Sequence, residues 1–111
     1  ADGVISVAAA HQLGEEFGIA DFSNSLAHIS APGVDILSAW PGGTLHSLNG
    51  TSMACPHVAG VAALWWEYAV KEGAPVTSTA VFSQLTSTAR KLFSVQFDRS
   101  DFGFGLVTSP A

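Results

Sequence analysis

The stretch SMACPHVAGVAALWWEYAVK, from Ser52 to Lys71, most constrains what this chain can fold into. It reads as one long helix, with Ala54, Ala59, Gly60, Ala62 and Ala63 keeping its flanks thin. A helix that is apolar nearly all round is a buried one, so neighbours must pack on several of its sides. Gly60 in its interior costs up to about 1 kcal/mol relative to Ala, and close approach of a neighbour is the reason to tolerate it. Lys71, Glu72 and Gly73 supply a stop, followed by Pro75.

Covering such a helix is hard for a chain of 111 residues, 48% of them hydrophobic and 12% charged. Average soluble domains are about 25% charged, and a small chain has little interior for its surface. A membrane protein, an obligate oligomer or a piece of a longer chain would each resolve the mismatch. No apolar run reaches the roughly 18 residues of a spanning segment, and Val58–Trp66 is broken by Gly60. No membrane role is expected. The net charge is −5, and four cationic side chains (Lys71, Arg90, Lys91 and Arg99) cannot build a phosphate-binding stripe, which argues against nucleic acid. Cys55 is the single cysteine. It permits no internal disulfide and no Cys-rich metal site, and its small apolar neighbours predict a buried, inert thiol. The chain opens without Met or a signal pattern and enters a strand-like segment at once. The expectation is a segment cut from a longer polypeptide, whose exposed faces drive self-association when it is alone.

The remaining segments predict an α/β fold. VISVAAA (Val4 to Ala10) is apolar on both faces and suits a central strand of a covered parallel sheet. His11 to Asp21 reads as a polar surface connection. Strands are predicted over Ala27–Ser30 and Val34–Trp40, with a bend at Pro32-Gly33. A turn at Pro41–Gly43 and a short strand over Thr44–Leu48 lead to Asn49-Gly50. A second, amphipathic helix is predicted from about Thr77 to Leu92, capped by Thr77 or Ser78, on the outside of the sheet.

Ser52 stands where the long helix begins. The first N–H groups of a helix have no intrahelical acceptor, and the macrodipole adds partial positive charge there. A tetrahedral intermediate on Ser52 would place its oxyanion near the Ser52 N–H. Pro56 lacks the N–H that would bond the Ser52 carbonyl, and Gly50 permits close approach of a substrate backbone. Mechanics alone leave the plain alternative open: Ser52 or Thr51 simply caps the helix. The G-x-S-x-G elbow is not met, because position 54 is Ala.

NGTSMACPHVAGVAAL (Asn49 to Leu64) resembles the active-serine motif of the subtilisin-like serine proteases, the subtilases. VISVAA, FSNS (Phe22 to Ser25) and SAPGVDILSAWPGG (Ser30 to Gly43) resemble, in order, what precedes that serine, and FGFGLV (Phe102 to Val107) resembles the family's closing segment. The resemblance covers nearly the whole chain. It implies the C-terminal portion of a subtilisin-like catalytic domain (residues 1–111), with parallel strands packed on the buried helix and the amphipathic one. The activity implied is that of a serine endopeptidase acting on polypeptides through an acyl-enzyme on Ser52, without a cofactor. Ser52 would be the nucleophile and supply half of the oxyanion hole through its N–H. Asn49, Gly50 and Thr51 would shape the turn, and Met53 matches an oxidation-prone neighbour of the nucleophile. Secretion is the compartment the family favours.

The partners of such a serine are missing. His57 belongs to the serine motif itself, and five residues at roughly 100° each put it about 140° around the helix from Ser52. His11, His28 and His46 lack the H-G-[TS]-H context of the family's base and are expected to be exposed or locally bonded, with His46 the nearest rival on its strand before the turn. No D-[ST]-G occurs; Asp21 and Asp35 read as loop acids, and Asn24 lies in the wrong block to be the oxyanion Asn. Without a base, Ser52 keeps an alcohol's weak nucleophilicity, so the 111 residues alone are expected to be inactive. The alternative is a non-catalytic, degenerate subtilase fragment or a self-associating module. Some subtilases hold a structural cation with carbonyls near the first strand and an acid just before A-P-G. This chain has His28 at that acid's place, which argues against the site.

Overall fold

A computed structural model describes residues 3–23 and 25–110. The chain forms a mixed α/β structure. Strand β1 (Val7–Leu13) is central in a three-stranded sheet of order β2-β1-β3, with β2 over Glu16–Ile19 and β3 over Ile29–Pro32. β1 and β3 run parallel in the register Val7↔Ile29 and Ala9↔Ala31. A hairpin of β4 (Ile36–Trp40) and β5 (Thr44–Leu48) forms a separate antiparallel pair. Helices α1 (Thr51–Glu72), α2 (Ser78–Thr88) and the single-turn α3 (Arg99–Phe102) complete the fold.

The alanines of β1 and β3 explain how α1 reaches the sheet. Ala9 and Ala31, on the sheet face that meets α1, are 0% exposed, and so is Ala54 on α1. Methyl-sized side chains on both partners let helix and strand approach closely, while Val7, Ile29, Val58, Val81 and Leu85 fill the space around them. The segment after α3 then adds to the far edge of β3: the Ser30 N–H donates to the Gly105 carbonyl and the Val107 N–H to the Ser30 carbonyl.

Several sequence expectations are corrected here. His11 to Asp21 is a hairpin, not a surface connection. Gly14 supplies the positive φ of 66° at its tip, and the alternation Phe17-Gly18-Ile19 places Phe17 against Phe93. The sheet therefore holds one parallel pair, β1–β3, beside the antiparallel β1–β2. Strand bounds shift to Ile29–Pro32 and Ile36–Trp40. The second helix ends at Thr88 instead of near Leu92, because Arg90 exchanges both backbone hydrogen bonds with Leu106.

The largest correction concerns burial of α1. Only Ala54, Val58 and Trp65 are buried, a single stripe facing the sheet, with the Trp65 indole N–H donating to the Thr108 carbonyl. Leu64, Trp66, Tyr68 and Val70 lie on the two flanks of that stripe and are exposed, because the described residues cover neither flank fully. Cys55 is exposed for the same reason, contrary to the buried thiol expected. The helix ends at Gly73, in the left-handed conformation at φ 67°, as the sequence indicates.

Candidate functional site around Ser52

The start of α1 is positioned by a relay of backbone hydrogen bonds. The Gly33 N–H donates to the Ala10 carbonyl in β1 (3.0 Å), and the Gly33 carbonyl accepts from the Gly50 N–H (2.8 Å). One residue after β3 thus ties the central strand to the residue that precedes the helix. Only glycine serves there: a Cβ on Gly33 would lie 2.6 Å from the Ala9 Cβ and 2.8 Å from the Gly50 carbonyl oxygen. The sequence marks Pro32-Gly33 as a bend but gives no sign of this close approach.

A second tie runs beside the first. The Asn49 side-chain oxygen accepts the Asp35 N–H at 2.8 Å, and Asp35 holds a positive φ of 56° that few residues other than glycine adopt. Asn49 therefore closes the base of the β4–β5 hairpin while it leads into the turn. Asp35 is exposed and serves this backbone joint, as a loop acid would.

Within the turn, Gly50 is the N-cap, and its carbonyl accepts from the Met53 N–H (3.0 Å) and the Ala54 N–H (3.3 Å). The N–H groups of Thr51 and Ser52 have no acceptor among the described residues. No side chain caps the helix, so neither Ser52 nor Thr51 fills the role that the plain capping alternative assigns. Ser52 is exposed at this end. Its hydroxyl and its N–H open together at the positive end of a 22-residue helix. Pro56 stands inside that helix and gives the Ser52 carbonyl no N–H. Met53, half-buried, borders an open groove of about 560 Å³ between β4 and α1, together with Ile36, Leu37 and Leu64.

Three of the four histidines are engaged elsewhere. His57 Nδ1 lies 2.9 Å from the Met53 carbonyl oxygen one turn back on its own helix; a carbonyl only accepts, so Nδ1 donates. The His46 ring lies on Trp40 with centroids 4.3 Å apart, across the hairpin. His28 Nδ1 accepts the Ser6 N–H at 2.9 Å, and its ring meets Phe82 edge-on. His11 is exposed on β1, and Asp21 is exposed beyond β2. None is hydrogen-bonded to Ser52. Asn24 lies outside the described residues. The structure thus gathers Asn49, Gly50, Thr51, Ser52 and Met53 in one turn and, among the described residues, brings no base to it.

The Subtilase family model matches residues 1–106. The chain belongs to the subtilase family. Subtilisin Savinase of Lederbergia lenta is 40% identical over 119 aligned positions, which cover 98% of this chain and 41% of that protein. Proteinase R of Parengyodontium album is 46% identical over 88 positions, 78% of this chain and 20% of its own length. Among solved structures, the prenylagaramide maturation protease PagA superposes with a TM-score of 0.79 at 34% identity, covering 95% of this chain and 39% of PagA. Fervidolysin of Fervidobacterium pennivorans, a keratinolytic enzyme, gives 0.75 at 35% identity, covering 96% of this chain and 18% of its own. The subtilase chain thus spans less than half the length of these relatives, and its fold is that of the corresponding part of the subtilisin-like structures.

Proposed function

We propose that this subtilase chain carries the nucleophile of a serine endopeptidase, with Ser52 as the attacking residue. The observation that carries the reading is the exposed Ser52, left uncapped beside a free Ser52 N–H at the helix start. Ser52 Oγ would attack the scissile carbonyl of a polypeptide, and the oxyanion that forms would take the Ser52 N–H and the helix dipole as stabilising partners. The attacking hydroxyl must lose its proton to a base. His57, His46 and His28 are held by Met53, Trp40 and Ser6, so the base, its Asp and a second oxyanion donor would come from a stretch outside these 111 residues. That base would pass the proton to the departing amine as the C–N bond breaks. Water would then release the acyl group with the help of the same base, and no cofactor enters. Residues 1–111 correspond in this reading to the C-terminal part of a catalytic domain, and secretion is its proposed destination.

A fluorophosphonate probe on the natural translation product tests this. Labelling mapped to Ser52 and lost in Ser52→Ala is the expected result, with no peptide hydrolysis by the 111 residues alone. Hydrolysis by the 111-residue chain, abolished in Ser52→Ala, would show that the chain holds its own base. A translation product that leaves Ser52 unlabelled while folded would favour the second reading, a non-catalytic self-associating fragment. The exposed Leu64, Trp66 and Val70 on α1 support that second reading, and sedimentation of the isolated chain is expected to show dimers or larger species in either case.

A further inference from the structure

The geometry points to His28 as a neutral, ion-free latch that ties the lead-in of β1 to β3, where some subtilases use a cation. Ser6 lies one residue before β1, and the parallel register begins only at Val7↔Ile29. The Ser6 N–H is therefore outside the ladder, and at its exposed site either water or a side chain can accept it. It finds the imidazole: Ser6 N–H donates to His28 Nδ1 at 2.9 Å, while His28 N–H donates back to the Ser6 carbonyl at 2.9 Å. Residues 6 and 28 thus close a reciprocal pair, one bond through a side chain and one through the backbone.

The same residue gathers two further elements. The His28 carbonyl accepts the Phe104 N–H of the closing segment at 2.8 Å, and the imidazole packs edge-on against Phe82 of α2 at 5.9 Å. His28 borders one cavity with Ser78 and Thr79 of α2 and a second with Arg99 and Phe104. Arg99 is the charged member of those linings, with its guanidinium 4.5 Å over the Phe104 ring.

The donor set does not suit a cation. A ring nitrogen that accepts an amide N–H has its lone pair directed at that hydrogen, so the other nitrogen carries the proton and presents a donor. The Ser6 carbonyl is likewise engaged by His28. Among the described residues, no three His, Cys, Asp or Glu side chains come together. Hard cations need several oxygen ligands, commonly carboxylates among them. His28 replaces an electrostatic joint by a hydrogen-bonded one, and the lead-in is held whether or not divalent cations are present.

Nitrogen NMR on the ¹⁵N-labelled chain tests this directly. The expected result is His28 in the Nε2–H form, with a through-bond coupling between the Ser6 amide and His28 Nδ1. Exchange of the Ser6 amide should change less than about twofold between millimolar Ca²⁺ and EDTA. His28→Leu should speed that exchange tenfold or more, and His28→Asn, whose side-chain oxygen sits where Nδ1 does, should restore most of the protection. A Nδ1–H tautomer, slowing of Ser6 exchange by Ca²⁺, or a folded His28→Leu chain with unchanged Ser6 exchange would each overturn the proposal. If His28→Leu does not fold, the tautomer and the Ca²⁺ comparison in the unmodified chain decide it.

Discussion

The two sheets of this molecule put similar aliphatic side chains in opposite environments. In the β2-β1-β3 sheet, Ile29 is 1% exposed and the alanines around it are sealed by α1 and α2. In the β4–β5 hairpin, Leu37 is 61% and Leu45 65% exposed, and β5 is exposed along its whole length. Yet both regions meet at the Ser52 turn. The first holds it through Gly33, and the second through Asn49 and Asp35. The turn is thus built on one completed core and one uncovered surface. A subtilase chain spanning less than half of its relatives can hold the geometry of the Ser52 turn without covering the apolar surface around it.

The largest test of that contrast is a matched pair of truncations. Ile29→Ala is expected to destabilise by about 3 kcal/mol, from lost transfer energy and a cavity that cannot collapse. Leu45→Ala is expected to stay within about 0.5 kcal/mol, as exposed substitutions do. Urea denaturation at low and high protein concentration measures both. An equal cost for the two, growing with concentration, would show that the hairpin is covered by a second copy.

Glycines sharpen the same comparison. Gly33→Ala is expected to cost about 2 kcal/mol, as overpacking against rigid neighbours does, because its Cβ would meet Ala9 and the Gly50 carbonyl. A Cβ on Gly60 would have nothing within 4 Å of it. Gly60→Ala should therefore stabilise this chain by up to about 1 kcal/mol through helix propensity. The same urea titrations read both signs. A destabilised Gly60→Ala chain would mean that a neighbour closes on α1 in solution.

These residues also show what was legible in the sequence. The α1 bounds, its Gly73 stop, the Thr77 cap and the β4–β5 hairpin follow from local turn and capping chemistry, which the sequence displays. The Asn49–Met53 turn was legible as well, since its residues are contiguous. Burial was not. The composition of α1 describes a helix covered on all sides, but cover is supplied by other elements, and here only one side has it. Gly33 was legible as a bend and illegible as a pivot, because its neighbours Ala9 and Gly50 are distant along the chain. The β1–β2 hairpin was hidden by Gly14 and Glu15, which make its tight turn, and by the polar Glu16 that opens β2, a run that reads as a loop.

Asn49 links the two regions, and its removal should have an intermediate effect. Asn49→Ala leaves the Asp35 N–H without its acceptor, and loss of one hydrogen bond at an exposed site costs about 1 kcal/mol. Asp35 is then free to leave its positive φ, so the hairpin base should loosen while β1 and β3 do not. Amide exchange separates these outcomes: faster exchange at Asp35 and within β4–β5, with Ala8–Ala10 unchanged. Uniformly faster exchange would instead make Asn49 a support of the whole core.

The smallest expected effect lies at α3, on the edge of the completed region. The Ser100 hydroxyl donates to the Asp98 carboxylate at 2.6 Å and the Ser100 N–H donates to it at 2.9 Å. These bonds, the hydroxyl first, lower the Asp98 pKa from its ordinary value of 3.8. A carboxyl whose folded pKa is depressed contributes stability that is fully present above its unfolded value. That contribution fades as pH falls through the lower folded value. The cap of α3 should therefore weaken only below about pH 4, without a measurable change in global stability, because Asp98 is fully exposed. The Ser100 amide reports it: its exchange, corrected for intrinsic rate, should quicken as pH is lowered, and Asp98→Asn should flatten the profile. Ser30 bounds how far the loosening spreads, since its buried hydroxyl donates to the Phe102 carbonyl at the end of α3. Protection at Ser30 and Ile29 that persists at low pH would show that the core of β1 and β3 stands without the cap. Its loss together with Ser100 would make α3 part of that core.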